Sequence, residues 1–281
     1  MTSGARQTDM GSVAPMGIGN VSERRMQPPQ VGVSIVVLAL DPDAEHGRLW
    51  MPLVRRIRQP FLGGWALPGG AIRADTSLAQ SAYEALESTT DLHPSYLEQL
   101  HTFGDPGRSH GGLPMISVVY WAMVDSAQAK DFIEADNVRW FPEGDLGGLD
   151  LAFDHRQIIA YALERLRTRI EYPDIASHLI GETFTLRQLH SVYEAVTGSV
   201  LDLPNFRRKM LASGEIEPTG DKRREGRQRP AMLYRYVPDA GNHDAYALSG
   251  RQLARLDARV RLNARDGRSS FDAMSSLTTT D

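Results

Sequence analysis

The apolar stretch from Val33 to Leu40, broken only by Ser34, has the length of a single β-strand, and no apolar run in the sequence is much longer. A membrane-spanning helix needs about 20 apolar residues in a row, so no stretch reads as a span, and the chain must bury its apolar side chains in cores of its own. Hydrophobic residues make up 41% of the 281, enough for two domains of ordinary size.

Strand and helix patterns alternate in the first half. Val33–Leu40 and Leu49–Val54 read as strands joined by the turn-like Asp41-Pro42-Asp43. Gly63-Gly64 and Pro68-Gly69-Gly70 punctuate a loop. Ser77–Glu87 then reads as a helix, with Leu78, Ala82 and Leu86 as one stripe and Ser77 with Gln80 as a capping box. Ile116–Val124, rich in β-branched and aromatic residues, is a strand, and His155–Ile170 a helix with Ile158, Ile159, Ala162, Leu163 and Leu166 on one side. Pro173 marks a boundary. Beyond it, Thr185–Val196 is an amphipathic helix with Thr185 as N-cap, Thr197-Gly198-Ser199 a turn, and Asp202–Ala212 a second helix stopped by Gly214, with Phe206, Met210 and Leu211 facing inward. Ile216–Pro218 and Leu233–Val237 pair across a basic tip, Gly220–Pro230. Helix, turn, helix and hairpin in that order predict a winged helix.

Charge is unevenly spread. Asn205–Arg235 holds nine Lys or Arg against four acids, a local excess of five positive charges on a chain of net charge −4. Such a patch on an acidic protein points to a polyanionic partner, or else to a solvated loop. With no cysteine, disulfides, thiolate metal sites and thiol nucleophiles are excluded. The simplest expectation is a cytoplasmic protein without a resident metal or cofactor.

Leu67-Pro68-Gly69-Gly70 ahead of a helix resembles a Nudix box. Phe61–Leu67, Phe103-Gly104-Asp105-Pro106 and Val118–Ala122 strengthen the resemblance, toward domains that act on ADP-ribose. That motif runs Gly, five residues, Glu, seven residues, then Arg-Glu-apolar-x-Glu-Glu-x-Gly-apolar. Laid from Gly70, its apolar positions fall on Leu86 and Leu92, but its first Glu is Thr76, its Arg is Glu84, its next Glu is Ala85, its Glu pair is Ser88-Thr89 and its Gly is Asp91. The family's carboxylates gather magnesium from one helix face to neutralise a pyrophosphate and activate water. Ala85, Ser88 and Thr89 bring no charge there, while Glu84 and Glu87 stand about 100° round the helix. A register shifted by one residue would recover Glu84 and Glu87 but place Ala85 and Asp91 at apolar positions.

Phe184–Leu189, Val192–Ala195 and Asn205–Met210, with Trp140-Phe141-Pro142 and Ala152–His155, resemble the Nudix-related transcriptional regulators of NAD metabolism, the NrtR family, over about residues 30–240. The resemblance implies a homodimeric repressor of NAD-biosynthesis genes that answers to ADP-ribose or a related NAD derivative, and a two-fold protein is expected to read an inverted repeat in double-stranded DNA. The residues support this on their own terms. Asn205, Arg207, Arg208 and Lys209 on an outer helix face suit a major groove, Arg for guanine, Asn for adenine and Lys for phosphate. Thr185, Arg187 and Gln188 stand near the start of the preceding helix to hold backbone, and Arg224 and Arg227 lie in a tip that either meets phosphate or the minor groove or is a disordered loop. For the effector, Arg55 ends a strand facing the loop and Trp65 offers a stacking surface. Gly69 and Gly70 allow close approach to phosphate, and Arg73 and Arg108 are placed to pair with a pyrophosphate.

The expected class is α/β (α+β), an N-terminal Nudix-fold α/β/α sandwich followed by a C-terminal winged helix-turn-helix. Residues 1–30 are expected as a disordered tail, 31–170 as the effector-binding domain, 171–248 as the DNA-binding domain and 249–281 as a short helix (Gln252–Leu262) and tail. The competing function is a Nudix pyrophosphohydrolase of ADP-ribose-type nucleotides with a DNA-binding appendage.

Overall fold

The computed structural model describes residues 28–41, 47–94, 96–109, 114–132, 134–170, 173–224 and 230–237. Residues 1–27 of the expected tail, Arg227 and the expected helix Gln252–Leu262 lie outside them, and the tail's expected last residue, Gln30, already belongs to a strand.

A seven-stranded mixed sheet forms the first domain. It comprises β1 (Gln30–Leu40), β2 (Leu49–Arg55), β3 (Trp65–Ala66), β4 (Gly69–Ala71), β5 (Tyr96–Phe103), β6 (Met115–Met123) and β7 (Val138–Pro142). The main path is β3-β2-β1-β6-β5, with β4 paired to β1 and β7 to β2. β1 and β6 run parallel from Gln30↔Met115 to Leu38↔Met123 and form the sheet's centre. The apolar run in β1 is continuous because both of its faces are covered. Val36, Leu38 and Leu40 face a core with α3 (His155–Arg169), while Val33, Ile35, Val37 and Ala39 face one with α1 (Leu78–Thr90). A short helix α2 (Ser126–Asp131) and a 3-10 turn (Glu143–Gly148) complete this sandwich.

The second part comprises α4 (Pro173–Ile180), α5 (Leu186–Thr197), α6 (Leu203–Ser213) and the hairpin of β8 (Ile216–Arg223) and β9 (Ala231–Tyr236). Phe184 exchanges two backbone hydrogen bonds with Tyr234, at 2.9 and 2.8 Å, an isolated bridge that ties the segment before α5 to the wing. The α3 core runs on without a break through Ile170, Ile175 and Leu179 to Phe184, Leu189, Val192 and Phe206.

Several local expectations are corrected. Pro68-Gly69-Gly70 is not a free loop: its glycines belong to β4, with Gly70↔Val33 and Gly69↔Ser34 in register. A side chain at Gly69 would put its Cβ 2.4 Å from the Val33 carbonyl oxygen, so glycine is required by strand packing. Leu78 and Leu211 are exposed, at 38% and 51%, and the inner stripe of α1 is instead Ser81, Ala82, Leu86 and Thr90. Ser77 Oγ accepts from Gln80 N, but the Gln80 side chain reaches forward to Glu84, so only half of that capping box forms. Pro173, read as a boundary, is the first residue of α4, the position where its missing N–H costs nothing. The wing strands extend to Arg223 and from Ala231, shortening the expected basic tip.

Candidate functional site

The face of α1 that carries metal ligands in a Nudix hydrolase is occupied differently here. Ser88 Oγ and Thr89 Oγ1 donate to the Ala85 carbonyl, at 3.2 and 2.7 Å, turning both hydroxyls back onto the helix. Ala85 lies opposite Gly70, whose Cβ position is 3.6 Å from the Ala85 Cβ. Glu84 lies beside Gln80 Nε2 (3.0 Å) and Arg73 Nε (3.8 Å), and Glu87 beside His93 Nδ1 (3.6 Å). Among the described residues no three His, Asp or Glu converge to hold a metal. Ala85, Ser88 and Thr89 thus bring no carboxylate to this face, and Glu84 and Glu87 lie against Gln80, Arg73 and His93.

The effector candidates divide into separate groups. Arg55 and Trp65 are cross-strand neighbours at the β2–β3 edge, and exposed Arg55 donates from Nε to Gly63 O at 3.3 Å. Trp65 is half-buried, its ring edge-on to Phe141 at 4.8 Å. Gly70 and Arg73 flank the start of α1 on exposed backbone, and Arg73 pairs with Asp75, which raises the Arg73 pKa and lowers that of Asp75. Arg108 is a different case. Its side chain is 4% exposed, its Nε and Nη2 donate to both Asp154 oxygens at 2.9 and 2.8 Å, and its Nη1 donates to Ser117 Oγ at 2.9 Å. The expected pairing of Arg108 with pyrophosphate is thus replaced by a buried internal fork that ties the β5–β6 loop to the entrance of α3.

Next to that fork lies a group the sequence did not single out. His155, the first residue of α3, accepts the Leu67 N–H on Nδ1 at 3.0 Å. Burial pushes its pKa down to about 4, with Arg108 and Arg56 adding to the effect against the opposing pull of Asp154. Trp65 N donates to Asp150 O at 2.9 Å and Ala152 N to Trp65 O at 2.8 Å. The segment leading into Gly69-Gly70 is thereby fastened to the start of α3. At the other end, Arg167 donates from Nε to Val196 O of α5 at 3.2 Å and from Nη2 to Glu143 at 2.6 Å. Burial raises the Glu143 pKa against the pull of Arg167. None of these partners is close in sequence to the other, which is why no local pattern announces them.

The helix-turn-helix presents a cationic face. Asn205, Arg207, Arg208 and Lys209 are all exposed on α6, while Phe206 and Met210 anchor it inward. Arg208 Nη2 donates to Asn205 Oδ1 at 2.7 Å, so these two share a face. Asp202 caps α6 through Asn205 N at 2.9 Å. Arg187 and Arg224 are exposed. Thr185, offered as a DNA contact, is 3% exposed: it caps α5 in a complete capping box, and the Gln188 side-chain oxygen is occupied by the Thr185 N–H at 2.9 Å. That leaves Gln188 only its amide NH2 for a phosphate.

A Nudix-type sandwich fused to a winged helix with a cationic second helix defines a DNA-binding regulator as the class. Residues 28–163 match the NUDIX domain and residues 176–236 the NrtR DNA-binding winged helix domain. The ADPR responsive transcriptional repressor NtrR of Acinetobacter baylyi is 31% identical over 212 residues, 74% of this chain and 82% of that protein. The crystal structure of Shewanella oneidensis NrtR complexed with a 27mer DNA is 36% identical, with a TM-score of 0.64 over 74% of this chain and 94% of that one. An ADP-ribose pyrophosphatase of Methanocaldococcus jannaschii is 32% identical over 108 residues, 38% of this chain and 62% of its own length. The chain belongs to the NrtR family of Nudix-related transcriptional regulators. Among the described residues no helix is long and apolar enough to cross a membrane.

Proposed function

We propose that this protein is a transcriptional repressor of NAD-biosynthesis genes that binds an inverted repeat as a homodimer, and that its Nudix domain senses ADP-ribose or a related NAD derivative instead of hydrolysing it. The observation that carries the reading is the pairing of an exposed Asn205/Arg207/Arg208/Lys209 face with an α1 helix bearing Ala85, Ser88 and Thr89 at the ligand positions. Arg55, Trp65, Gly70 and Arg73 are the proposed effector contacts, and Gly69 supports them through strand packing. The kinship with an ADPR responsive repressor supports the choice of ligand. A duplex enriched from a randomised DNA pool should bind tightly and be released by ADP-ribose, and bound duplex should weaken ADP-ribose binding by the same factor, a coupling of about 1–3 kcal/mol. Saturating ADP-ribose that leaves the duplex dissociation constant unchanged would refute the sensing role.

The likeness to an ADP-ribose pyrophosphatase favours one alternative, a hydrolase with a DNA-binding appendage. Turnover of ADP-ribose with magnesium above roughly 1 per second would establish it.

A further inference from the structure

The DNA-binding reading leaves unexplained two buried, chemically demanding side chains on α5. His190 and Glu194 are 8% and 7% exposed, one helical turn apart. Both reach the same residue of the turn between the two helices. His190 Nε2 lies 2.8 Å from the carbonyl oxygen of Leu201, which as a pure acceptor requires the ring nitrogen to donate. Glu194 Oε1 accepts the Leu201 N–H at 3.0 Å, and its second oxygen lies 3.4 Å from His190 Nδ1. The following residue, Asp202, is the N-cap of α6. The His190 ring also meets Phe206 edge-on at 5.2 Å, and Phe206 is one of the two buried anchors of α6.

We propose that His190 and Glu194 are positioning residues for DNA recognition: together they clamp both backbone polar groups of Leu201 and so fix where α6 starts and how it is rotated about Phe206. An ordinary apolar core would hold α6 against α5 but would not set its phase, because apolar contact is non-directional. Two hydrogen bonds to one peptide position are directional, and a bend of the turn at Leu201 would swing Asn205 and Arg207 together. The inference rests on α6 being the DNA-reading helix, and it adds that base discrimination, more than general affinity for DNA, depends on two residues that never touch DNA.

The test uses the full chain, a duplex enriched from a random pool and an unselected duplex of equal length. His190→Leu and Glu194→Leu keep bulk but abandon the Leu201 carbonyl and N–H respectively. Each should lower affinity for the enriched duplex by at least about tenfold while leaving low-salt binding to the unselected duplex nearly unchanged. His190→Gln restores a donor and Glu194→Gln retains an acceptor, so both should recover discrimination to within about threefold. Leucine variants that discriminate like the parent, or glutamine variants as impaired as the leucine ones, overturn the proposal. A second readout needs no DNA. Amide exchange across residues 199–203 of the free protein should accelerate in the leucine variants and return in the glutamine ones, and uniform exchange in all four overturns the clamp. A parent that fails to prefer any enriched duplex refutes the DNA-binding reading, while the exchange result still decides the clamp.

Discussion

His155 makes the stability of the Nudix domain sensitive to mild acid, and by an amount that follows from its surroundings. Its Nδ1 accepts the Leu67 N–H, so a proton there would both charge a fully buried ring and break that bond. The folded-state pKa is about 4 against an ordinary 6.5. The group is depressed on folding, so its contribution is intact above pH 6.5 and is lost as pH falls, when the unfolded chain takes up a proton that the folded one refuses. Each pH unit in that window costs about 1.4 kcal/mol, and the whole window about 3 kcal/mol, against a total domain stability of about 5–15 kcal/mol. His155→Asn places an amide oxygen near the Nδ1 position and does not titrate. All four tryptophans lie between residues 50 and 140, so their fluorescence follows the Nudix domain alone. Urea unfolding of parent and variant from about pH 7.5 to about pH 4 should give curves that converge in acid. Buried carboxyls such as Glu143, raised on folding and therefore of opposite sign, titrate in both proteins and cancel in the difference. Parallel pH profiles for parent and His155→Asn would refute the argument.

Gly69→Ala should destabilise the Nudix domain by about 1–3 kcal/mol in the same assay, because its Cβ meets the Val33 carbonyl, whereas Gly70→Ala, facing the Ala85 methyl at 3.6 Å, should unfold like the parent. Asp154→Ala leaves Arg108 buried with no carboxylate and should cost about 3–5 kcal/mol, read as a lower urea midpoint with an unchanged slope. Arg207→Ala or Asn205→Ala should weaken binding to the enriched duplex by about 1–3 kcal/mol and narrow its margin over unselected DNA. Lys209→Ala should weaken both alike and flatten the salt dependence by about one unit; equal binding by all of these variants would remove α6 from the interface.

What the sequence revealed and what it hid follow from the range of the interactions concerned. β1 is legible because its two covered faces make the apolar run continuous, and α5 because Thr185 and Gln188 announce a cap at fixed spacing. The departure of α1 from the Nudix pattern at Ala85, Ser88 and Thr89 is legible because a motif fixes the positions to be compared. β5 is hidden because it is an edge strand whose residues are mostly half-exposed, and so polar enough to read as loop. α4 is hidden because eight residues carry too little periodicity and its opening proline reads as a break. Residue type points to binding candidates but does not say which arginines are already paired within the fold. Arg108 meets Asp154 across 46 positions and Leu67 meets His155 across 88, separations at which no local pattern survives.

These same distant contacts give the proposed sensor a route to its DNA-binding domain. A ligand changes DNA affinity only if it favours one arrangement of the connected parts over another. α3 spans 15 residues, about 22 Å at the rise of an α-helix, and is fastened at its first residue to the segment before Gly69-Gly70. In its last turn it is fastened to the C-terminal end of α5 through Arg167 and Val196. A hydrogen-bonded helix has little give along its axis, so these bonds offer the proposed sensor a continuous path from Leu67 to α5. The proposed absence of hydrolysis belongs to the same logic. A sensor that hydrolysed its ligand would report the balance of supply and its own turnover, whereas one that only binds reports concentration. Ala85, Ser88 and Thr89, with the two hydroxyls bonded back to the helix, leave the fold of α1 intact and bring no carboxylate to that face.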